Sequence, residues 1–288
     1  MDNRQANQVL CENISKLRER ERIIDEQRSI CLSLLSSQIR EENRQDSAEA
    51  VYRAFCQSLP DASGKEKLTF CRSLLQSPEE LLTIADDTAA GSHGKVAYVK
   101  NRYNDAAFEL FSKKITNAKS VSVSSFADAC EETFDNRCEF CIVPLENTYD
   151  GKLFGFYSML DRYELKIVDC AEIETDDPSK LIRFALVRRG ISSRSFNSML
   201  KRHRECIFEF SIAESSGAFM TEVLSAVTET RGVLTKVDSL PVQYDDRQRR
   251  FFFTISLPPR ELSAFCLYLT LEFSSYTFIG LYPPAAEK

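Results

Sequence analysis

The sequence contains no tryptophan, only nine glycines and only two histidines in 288 residues. No phosphate-binding loop of the GxxxxGK[ST] type occurs, which argues against a nucleotide-hydrolysing enzyme. No apolar run reaches the roughly 18–20 residues that span a bilayer, and the opening residues MDNRQANQ lack a hydrophobic signal core. We therefore expect a cytoplasmic protein without a membrane partner.

An excess of basic charge is also missing. The chain has 37 Lys and Arg against 43 Asp and Glu, a net charge of -6. Nucleic-acid binding relies on a basic surface that displaces counterions from phosphates, so we expect no nucleic-acid partner. Hydrophobic residues make up 43% and charged residues 28%, as in ordinary globular proteins. The length allows about two domains and tolerates a third small one.

The ten cysteines are scattered between Cys11 and Cys266, unlike those of a small disulfide scaffold. We expect most of them to be buried thiols. Cys138 and Cys141 have the spacing of metal ligands, but no second CxxC accompanies them. Because a structural zinc site normally needs four convergent ligands, we expect no metal, and no cofactor is indicated.

Residues 8–45 predict one long helix, since apolar residues recur about every 3.5 positions without glycine or proline. These apolar residues are Leu10, Ile14, Leu17, Ile24, Cys31 and Leu35. Glu21, Arg28 and Gln38 stand at seam positions between them, either on a partly open, solvated face or inside a helix-lined pocket. Two more helices are predicted up to residue 76 and a short one at Ser77, so that residues 1–85 form a helical domain.

The pattern changes after residues 86–94, a polar stretch that we predict to be a linker. In residues 95–190, strands alternate with helices, which favours a parallel or mixed sheet. Residues 205–285 predict the order βαββαβ of a ferredoxin-like domain. The expected fold class is therefore α+β and multidomain, with all-helical, α/β and ferredoxin-like parts.

Three ordered motifs mark the middle segment: SSFAD at 124–128, VPLENTYDG at 143–151 and IRF at 182–184. They resemble the SFx[DE] helix start, the VPIEN[ST]xxG loop and the Thr-Arg-Phe motif of the prephenate dehydratase family. That resemblance implies conversion of prephenate into phenylpyruvate, water and carbon dioxide, a lyase reaction of phenylalanine biosynthesis. The catalytic candidates it implies are Glu146, Asn147, Thr148 and Arg183. A loop-capping role is the alternative for Glu146 and Asn147.

The last segment carries GAFM at 217–220, DSLP at 238–241 and FIGLYP at 278–283. These resemble the GALV, ESRP and xxLGxYP motifs of the ACT domains attached to these dehydratases. The resemblance implies allosteric regulation by a phenylalanine-like amino acid held between the two chains of a homodimer. The ligand-binding residues it implies are Gly217, Ala218, Phe219, Met220, Asp238, Ser239 and Leu240. Gly217 could instead be only a helix start.

The N-terminal segment ISKLRERERIID, residues 14–25, is similar to the IxxLRxxIxxID opening of chorismate mutase modules. The resemblance implies that Arg18 is the first active-site arginine, with Arg28 as a further cation and chorismate as a possible ligand. An ungapped continuation places Leu35 where the second arginine belongs, so the charge set is incomplete.

The middle segment departs from the dehydratase pattern in three places. Residues 100–104, KNRYN, replace the glycine-rich turn after the first strand. Ile182 stands where the family has the threonine implicated in acid catalysis, and a hydrocarbon cannot donate a proton. Only residues 174–181 occupy the place of the second lobe, which predicts a truncated single lobe. A cleft with one wall would not exclude water from prephenate.

Three functional hypotheses remain open. The first is an amino-acid-sensing homologue of the phenylalanine pathway with impaired dehydratase chemistry. The second is an active chorismate mutase, prephenate dehydratase or both. The third is a scaffold that dimerises through the long helix. The sequence alone does not decide whether the chain is an enzyme.

Overall fold

A computed structural model describes residues 3–44, 46–75, 93–191, 201–214, 219–242 and 245–284. The chain divides into two compact units, Met1–Gln76 and Ser77–Lys288. The linker predicted at 86–94 lies outside the described residues except at positions 93 and 94, and the short helix predicted at Ser77 lies outside them entirely.

The first unit contains three helices, as the sequence predicts: α1 (Asn3–Glu42), α2 (Ala48–Ser58) and α3 (Gly64–Leu74). Ser47 caps α2, and Ser63 forms a reciprocal capping box at the start of α3. The core includes Phe55 and Phe70, whose stacked rings lie 4.1 Å apart. By contrast, every side chain of α1 from residue 7 to residue 31 is exposed. None of the described helices has the length and apolar character required for a membrane span.

The second unit begins with alternating strands and helices. They are β1 (Lys95–Val99), α4 (Arg102–Ser112), β2 (Lys119–Val123), α5 (Phe126–Phe134), β3 (Phe140–Asn147), β4 (Gly151–Lys152), α6 (Phe154–Arg162), β5 (Lys166–Glu174) and β6 (Leu181–Arg188). Strand β1 pairs in parallel with β2 and β3, whereas β6 is antiparallel to β3 and β5. The mixed sheet is therefore confirmed. The resemblance places Gly151 in the VPLENTYDG loop, whereas in the structure Gly151 begins β4, which pairs with the end of β3.

The remaining elements follow in the order βαββαβ. They are β7 (Cys206–Glu214), α7 (Phe219–Glu229), β8 (Val233–Val242), β9 (Asp245–Leu257), a 3-10 turn (Pro259–Glu261), α8 (Leu262–Glu272) and β10 (Thr277–Tyr282). The four strands lie side by side as β10-β7-β9-β8 and are antiparallel. Phe219 of α7 and Phe265 of α8 both pack on one face of this sheet, against Phe253 and Phe210 respectively.

The α/β and ferredoxin-like segments share a single sheet, in the order β2-β1-β3-β6-β5-β10-β7-β9-β8. They join where Gly280 of β10 lies beside Ile167 of β5. Helix α6 lies against the face of the ferredoxin-like sheet opposite α7 and α8, with the Phe154 and Tyr157 rings 5.3 and 5.5 Å from Phe252. The segments predicted as domains 95–190 and 205–285 thus lie in one compact unit.

Candidate functional site

The loop after β3 is held together by its own polar side chains. The Asn147 Oδ1 accepts hydrogen bonds from the backbone N–H groups of Tyr149 and Asp150, at 2.9 and 2.5 Å. The Thr148 hydroxyl accepts a 2.6 Å bond from the Leu181 N–H and donates a 3.0 Å bond to the Leu181 carbonyl. These two catalytic candidates therefore cap the loop and tie β3 to β6.

Arg183 of β6 is bound by groups of the same chain. Its Nη2 donates a 2.7 Å hydrogen bond to the Glu209 Oε1 and contacts the Tyr282 hydroxyl, while its Nη1 lies 3.7 Å from the Glu146 Oε2. The Arg183 side chain is 19% exposed and that of Glu209 only 1%. The ion pair therefore connects the α/β segment to β7 of the ferredoxin-like segment.

Glu209 has further partners in the interior. The Tyr157 hydroxyl donates to its Oε2 at 3.1 Å, and the Tyr282 hydroxyl donates to its Oε1. Burial alone would raise the pKa of Glu209, but the charges of Arg183 and Lys152 and the bond from Tyr282 hold that pKa below its ordinary value. Burial is also the main reason why the pKa values of Tyr157 and Tyr282 lie well above that of free tyrosine.

Two lysines extend this set of charges. The Lys152 side chain is 1% exposed, and its Nζ lies 3.4 Å from the Asp238 Oδ2 and 4.5 Å from the centre of the Tyr157 ring. Burial lowers the pKa of Lys152, partly offset by Glu209 and Asp238. The Lys236 Nζ contacts Glu146 closely and lies 3.8 Å from Asp238.

These six residues form what we call the interface network: Glu146, Lys152, Arg183, Glu209, Lys236 and Asp238. Its three cations and three carboxylates face each other across the join between the two segments. The 3.7 Å between Glu146 and Arg183 leaves no space for a substrate between these two catalytic candidates. The network therefore neutralises buried charge and connects the two halves of the sheet.

Sequence reasoning identified Glu146, Arg183 and Asp238 but missed Glu209, Lys152 and Lys236. A signal for Glu209 was available, since it interrupts the apolar strand IFEFSIA of residues 207–213. A charged residue at such a position is rarely buried unless it is paired. The sequence could not identify the partner as Arg183.

The ligand-binding residues taken from the ACT resemblance begin at Gly217 and Ala218, which lie outside the described residues. Phe219 is buried at the start of α7, with its ring 5.1 Å from that of Phe251, and Met220 beside it is partly buried. Phe219 therefore belongs to the core between α7 and the sheet.

The DSLP segment in β8 presents its side chains to opposite faces, as expected for a strand. Asp238 joins the interface network on the α6 side, and Leu240 lines a cleft beside α6. The Ser239 hydroxyl instead accepts a 3.0 Å hydrogen bond from Arg249. Asp238 and Leu240 therefore share one side of the sheet, whereas Ser239 belongs to the other.

The cleft beside α6 has a volume of about 320 Å³. Its floor is the face of the ferredoxin-like sheet opposite α7 and α8, and its wall is α6. Both apolar and charged side chains line it, among them Asp161, Lys166, Leu240, Arg250 and Phe252.

In the helical unit, the two candidate arginines are exposed on α1. Arg18 is exposed, and the Arg28 Nε lies 3.6 Å from the Glu66 Oε1 with a side chain 65% exposed. A cavity of about 510 Å³ at the turn between α1 and α2 is lined by Arg40 and Arg44. Neither Arg18 nor Arg28 borders this cavity.

The CxxC cysteines both lie in the core. Cys138 and Cys141 are buried, and burial raises the pKa of both thiols. Over the described ranges, no group of three or more histidine, cysteine, aspartate or glutamate side chains is arranged to hold a metal ion.

No protein-family model and no curated protein matches this chain. Solved structures do resemble it. The prephenate dehydratase from Streptococcus mutans is 18% identical with a TM-score of 0.51, over 65% of this chain and 97% of that one. The prephenate dehydratase from Arthrobacter aurescens, in complex with L-Phe, is 13% identical with a TM-score of 0.50, and the match covers 67% of this chain and 91% of that one. GqqA, described as a novel type of quorum quenching acylase, is 14% identical with a TM-score of 0.49, and the match covers 66% of this chain and 95% of that one. The two dehydratases show that about two thirds of this chain has a prephenate dehydratase-like fold.

Proposed function

We propose that this chain is a phenylalanine-pathway homologue that senses a phenylalanine-like amino acid and has impaired dehydratase chemistry. On this proposal, residues 95–190 are a truncated dehydratase-like lobe and residues 205–285 an ACT-like regulatory segment. The fold shared with two prephenate dehydratases supports the assignment, and one of those enzymes was solved with L-Phe.

The Arg183–Glu209 ion pair carries the proposal. Dehydration and decarboxylation of prephenate require cations at its carboxylates and a proton donor at its ring hydroxyl. Arg183 is the candidate carboxylate ligand, but its guanidinium already binds Glu209 at 2.7 Å. Releasing it would leave a carboxylate that is 1% exposed without its partner, which costs roughly 3–5 kcal/mol. Substrate binding would have to offset that cost.

The proton donor is the second difficulty for turnover. Ile182 carries no hydroxyl, and the nearby hydroxyl of Thr148 donates to the Leu181 carbonyl while accepting from the Leu181 N–H. Protonating a substrate from Thr148 would require its bond to the Leu181 carbonyl at the β3–β6 end to break. These contacts support impaired acid catalysis.

We propose that the chain forms a homodimer through α1. Apolar residues at 3.5-residue spacing remain exposed along this helix, including Leu10 at 59%, Leu17 at 56% and Ile24 at 55%. A second copy of the same helix would bury such a seam. The absence of Arg18 and Arg28 from the cavity of about 510 Å³ in this unit agrees better with this structural role than with mutase chemistry.

The full chain should be assayed for loss of chorismate and for formation of phenylpyruvate from prephenate, and titrated calorimetrically with the twenty amino acids. We expect that neither reaction takes place and that a phenylalanine-like amino acid binds. Prephenate conversion at an ordinary enzymatic rate would refute the impaired chemistry, and lack of binding by every amino acid would refute the sensing role. Chorismate turnover that disappears in Arg18→Ala would support the mutase alternative.

A further inference from the structure

The cleft between α6 and the ferredoxin-like sheet has the size of a small-ligand site. Its volume of about 320 Å³ is near the lower end of the ~300–1,000 Å³ typical of small-molecule sites. A molecule of amino-acid size fits that volume better than a nucleotide does. The cleft lies within a single chain, because α6, β5 and strands β7 to β10 of the same unit form it.

Opposite charges meet at the cleft. The Arg250 Nη1 lies 3.7 Å from the Asp161 Oδ2, with side chains 33% and 55% exposed. An ion pair this long and this exposed contributes little stability, so separating its partners costs little. An α-amino acid carries a carboxylate and an ammonium on the same carbon, and it could bind Arg250 and Asp161 at once.

A third charge lies deeper. The Lys166 Nζ donates a 2.8 Å hydrogen bond to the Phe278 carbonyl, and within the described part of the chain it forms no ion pair. Burial lowers the pKa of Lys166, partly offset by Asp161 and Glu164. A bound carboxylate would stabilise this ammonium, because an anion in a partly desolvated site favours the charged form of a lysine.

Most of the remaining lining residues are apolar or aromatic, and Ser158, Ser211 and Thr277 are the polar ones among them. Phe252 is buried to 6% exposure, and Leu240, Phe278 and Ile279 also border the cleft. An aromatic side chain could pack against these groups while its α-carboxylate and ammonium reach the charged residues. The lining therefore favours an aromatic amino acid over a polar one.

We infer that the cleft binds an aromatic α-amino acid within one chain, with Arg250 and Lys166 holding its carboxylate and Asp161 its ammonium. This inference rests on the proposed sensing function but places the amino-acid site elsewhere in the fold. The ACT resemblance implies a site between two chains, whereas the cleft needs only one. Leu240, which replaces the arginine of the ESRP motif, contributes to the apolar wall.

Calorimetry on the full chain tests the inference with three probes: L-phenylalanine, 3-phenylpropionate, which lacks the ammonium, and phenethylamine, which lacks the carboxylate. Arg250→Gln and Lys166→Met should each weaken the binding of L-phenylalanine and of 3-phenylpropionate by about 10- to 100-fold. Asp161→Asn should weaken the binding of L-phenylalanine and phenethylamine to a similar extent but should not weaken the binding of 3-phenylpropionate, which has no ammonium.

Arg249→Gln is the matched control, since it removes the same charge one residue away on the other side of β9, where Arg249 bonds Ser239. It should leave all three affinities unchanged. Thermal unfolding by circular dichroism checks that each variant folds, and Arg250→Lys should recover part of the affinity if the charge matters.

The outcomes separate the inference from the function on which it rests. L-phenylalanine binding that is unchanged in all three cleft variants would refute the inference and leave the sensing role intact. Binding lost in Arg249→Gln instead would place the ligand on the other face of the sheet. If the wild-type chain binds none of the probes and no other amino acid, both the sensing role and the cleft assignment are wrong.

Discussion

The Arg183 Nη2 lies 2.7 Å from the Glu209 Oε1, and this contact connects β6 of the α/β segment to β7 of the ferredoxin-like segment. A residue that the sequence suggests as a substrate ligand is thus paired inside the fold. The network around it contains equal numbers of positive and negative side chains, so its members neutralise one another without a ligand.

Replacing Arg183 alone should destabilise the second unit strongly. Arg183→Met leaves the Glu209 carboxylate buried without its cation, at a cost of roughly 3–5 kcal/mol. The double variant Arg183→Met/Glu209→Leu should cost less than the sum of the single changes, because neither charge remains. Urea unfolding of the four proteins measures this coupling.

The matched control for that experiment is Arg102→Met. Arg102 pairs with Asp176 at the surface, with side chains 75% and 69% exposed, so its loss should change stability little. Additive effects of the Arg183 and Glu209 changes would contradict a direct energetic link between the two residues.

Stability should fall in acid partly because of Glu209. Its pKa is lower in the folded chain than in an unfolded one, where glutamate titrates at about 4.3. Its contribution is therefore fully present above that pH and is lost as the pH falls from about 4.3 towards the folded-state pKa. Urea midpoints between pH 3 and pH 7 should decline less steeply in Glu209→Gln than in the wild type. Equal slopes would show that Glu209 is not responsible.

Gly280 is required where the two segments join. A Cβ at this position would lie 2.5 Å from the Cβ of Ile167 and 3.1 Å from its backbone oxygen, atoms that cannot move without shifting β5. Gly280→Ala should therefore destabilise the second unit by about 1–3 kcal/mol. A Cβ added to Gly155 in α6 would meet no atom of a neighbouring element within 4 Å, so Gly155→Ala should be neutral or stabilise the fold by up to about 1 kcal/mol. Equal unfolding midpoints for the two variants would contradict the close approach.

Local structure could be predicted well because its signals lie close together in the sequence. The stretch SSFAD indicates the start of α5, and in the structure Ser125 and Asp128 form a reciprocal capping box there, before the helix Phe126–Phe134. The βαββαβ order likewise follows from alternating apolar patterns. A two-residue strand such as β4 leaves no such pattern and was missed.

The candidate site could not be predicted in the same way, because it depends on which distant residues meet. A glycine inside a strand, such as Gly280, indicates a close approach but does not identify Ile167 as the neighbour. Nor does the sequence reveal that α6 lies against the sheet and brings Asp161 near Arg250. Without that placement, the cleft cannot be inferred.

Self-association should depend on the exposed apolar seam of α1. Leu17 and Ile24 are 56% and 55% exposed in the single chain, so Leu17→Glu and Ile24→Glu should leave its fold intact while placing charge in a helix–helix contact. Sedimentation of the full chain should show a dimer for the wild type and a monomer for either variant. Ser15 lies on the opposite side of the helix from Ile24, because each residue turns the helix by about 100° and nine residues bring it to about 180°. The Ser15→Glu variant should therefore remain dimeric. Seam variants that stay dimeric would show that the contact lies elsewhere, and a monomeric wild type would remove the basis for a dimer altogether.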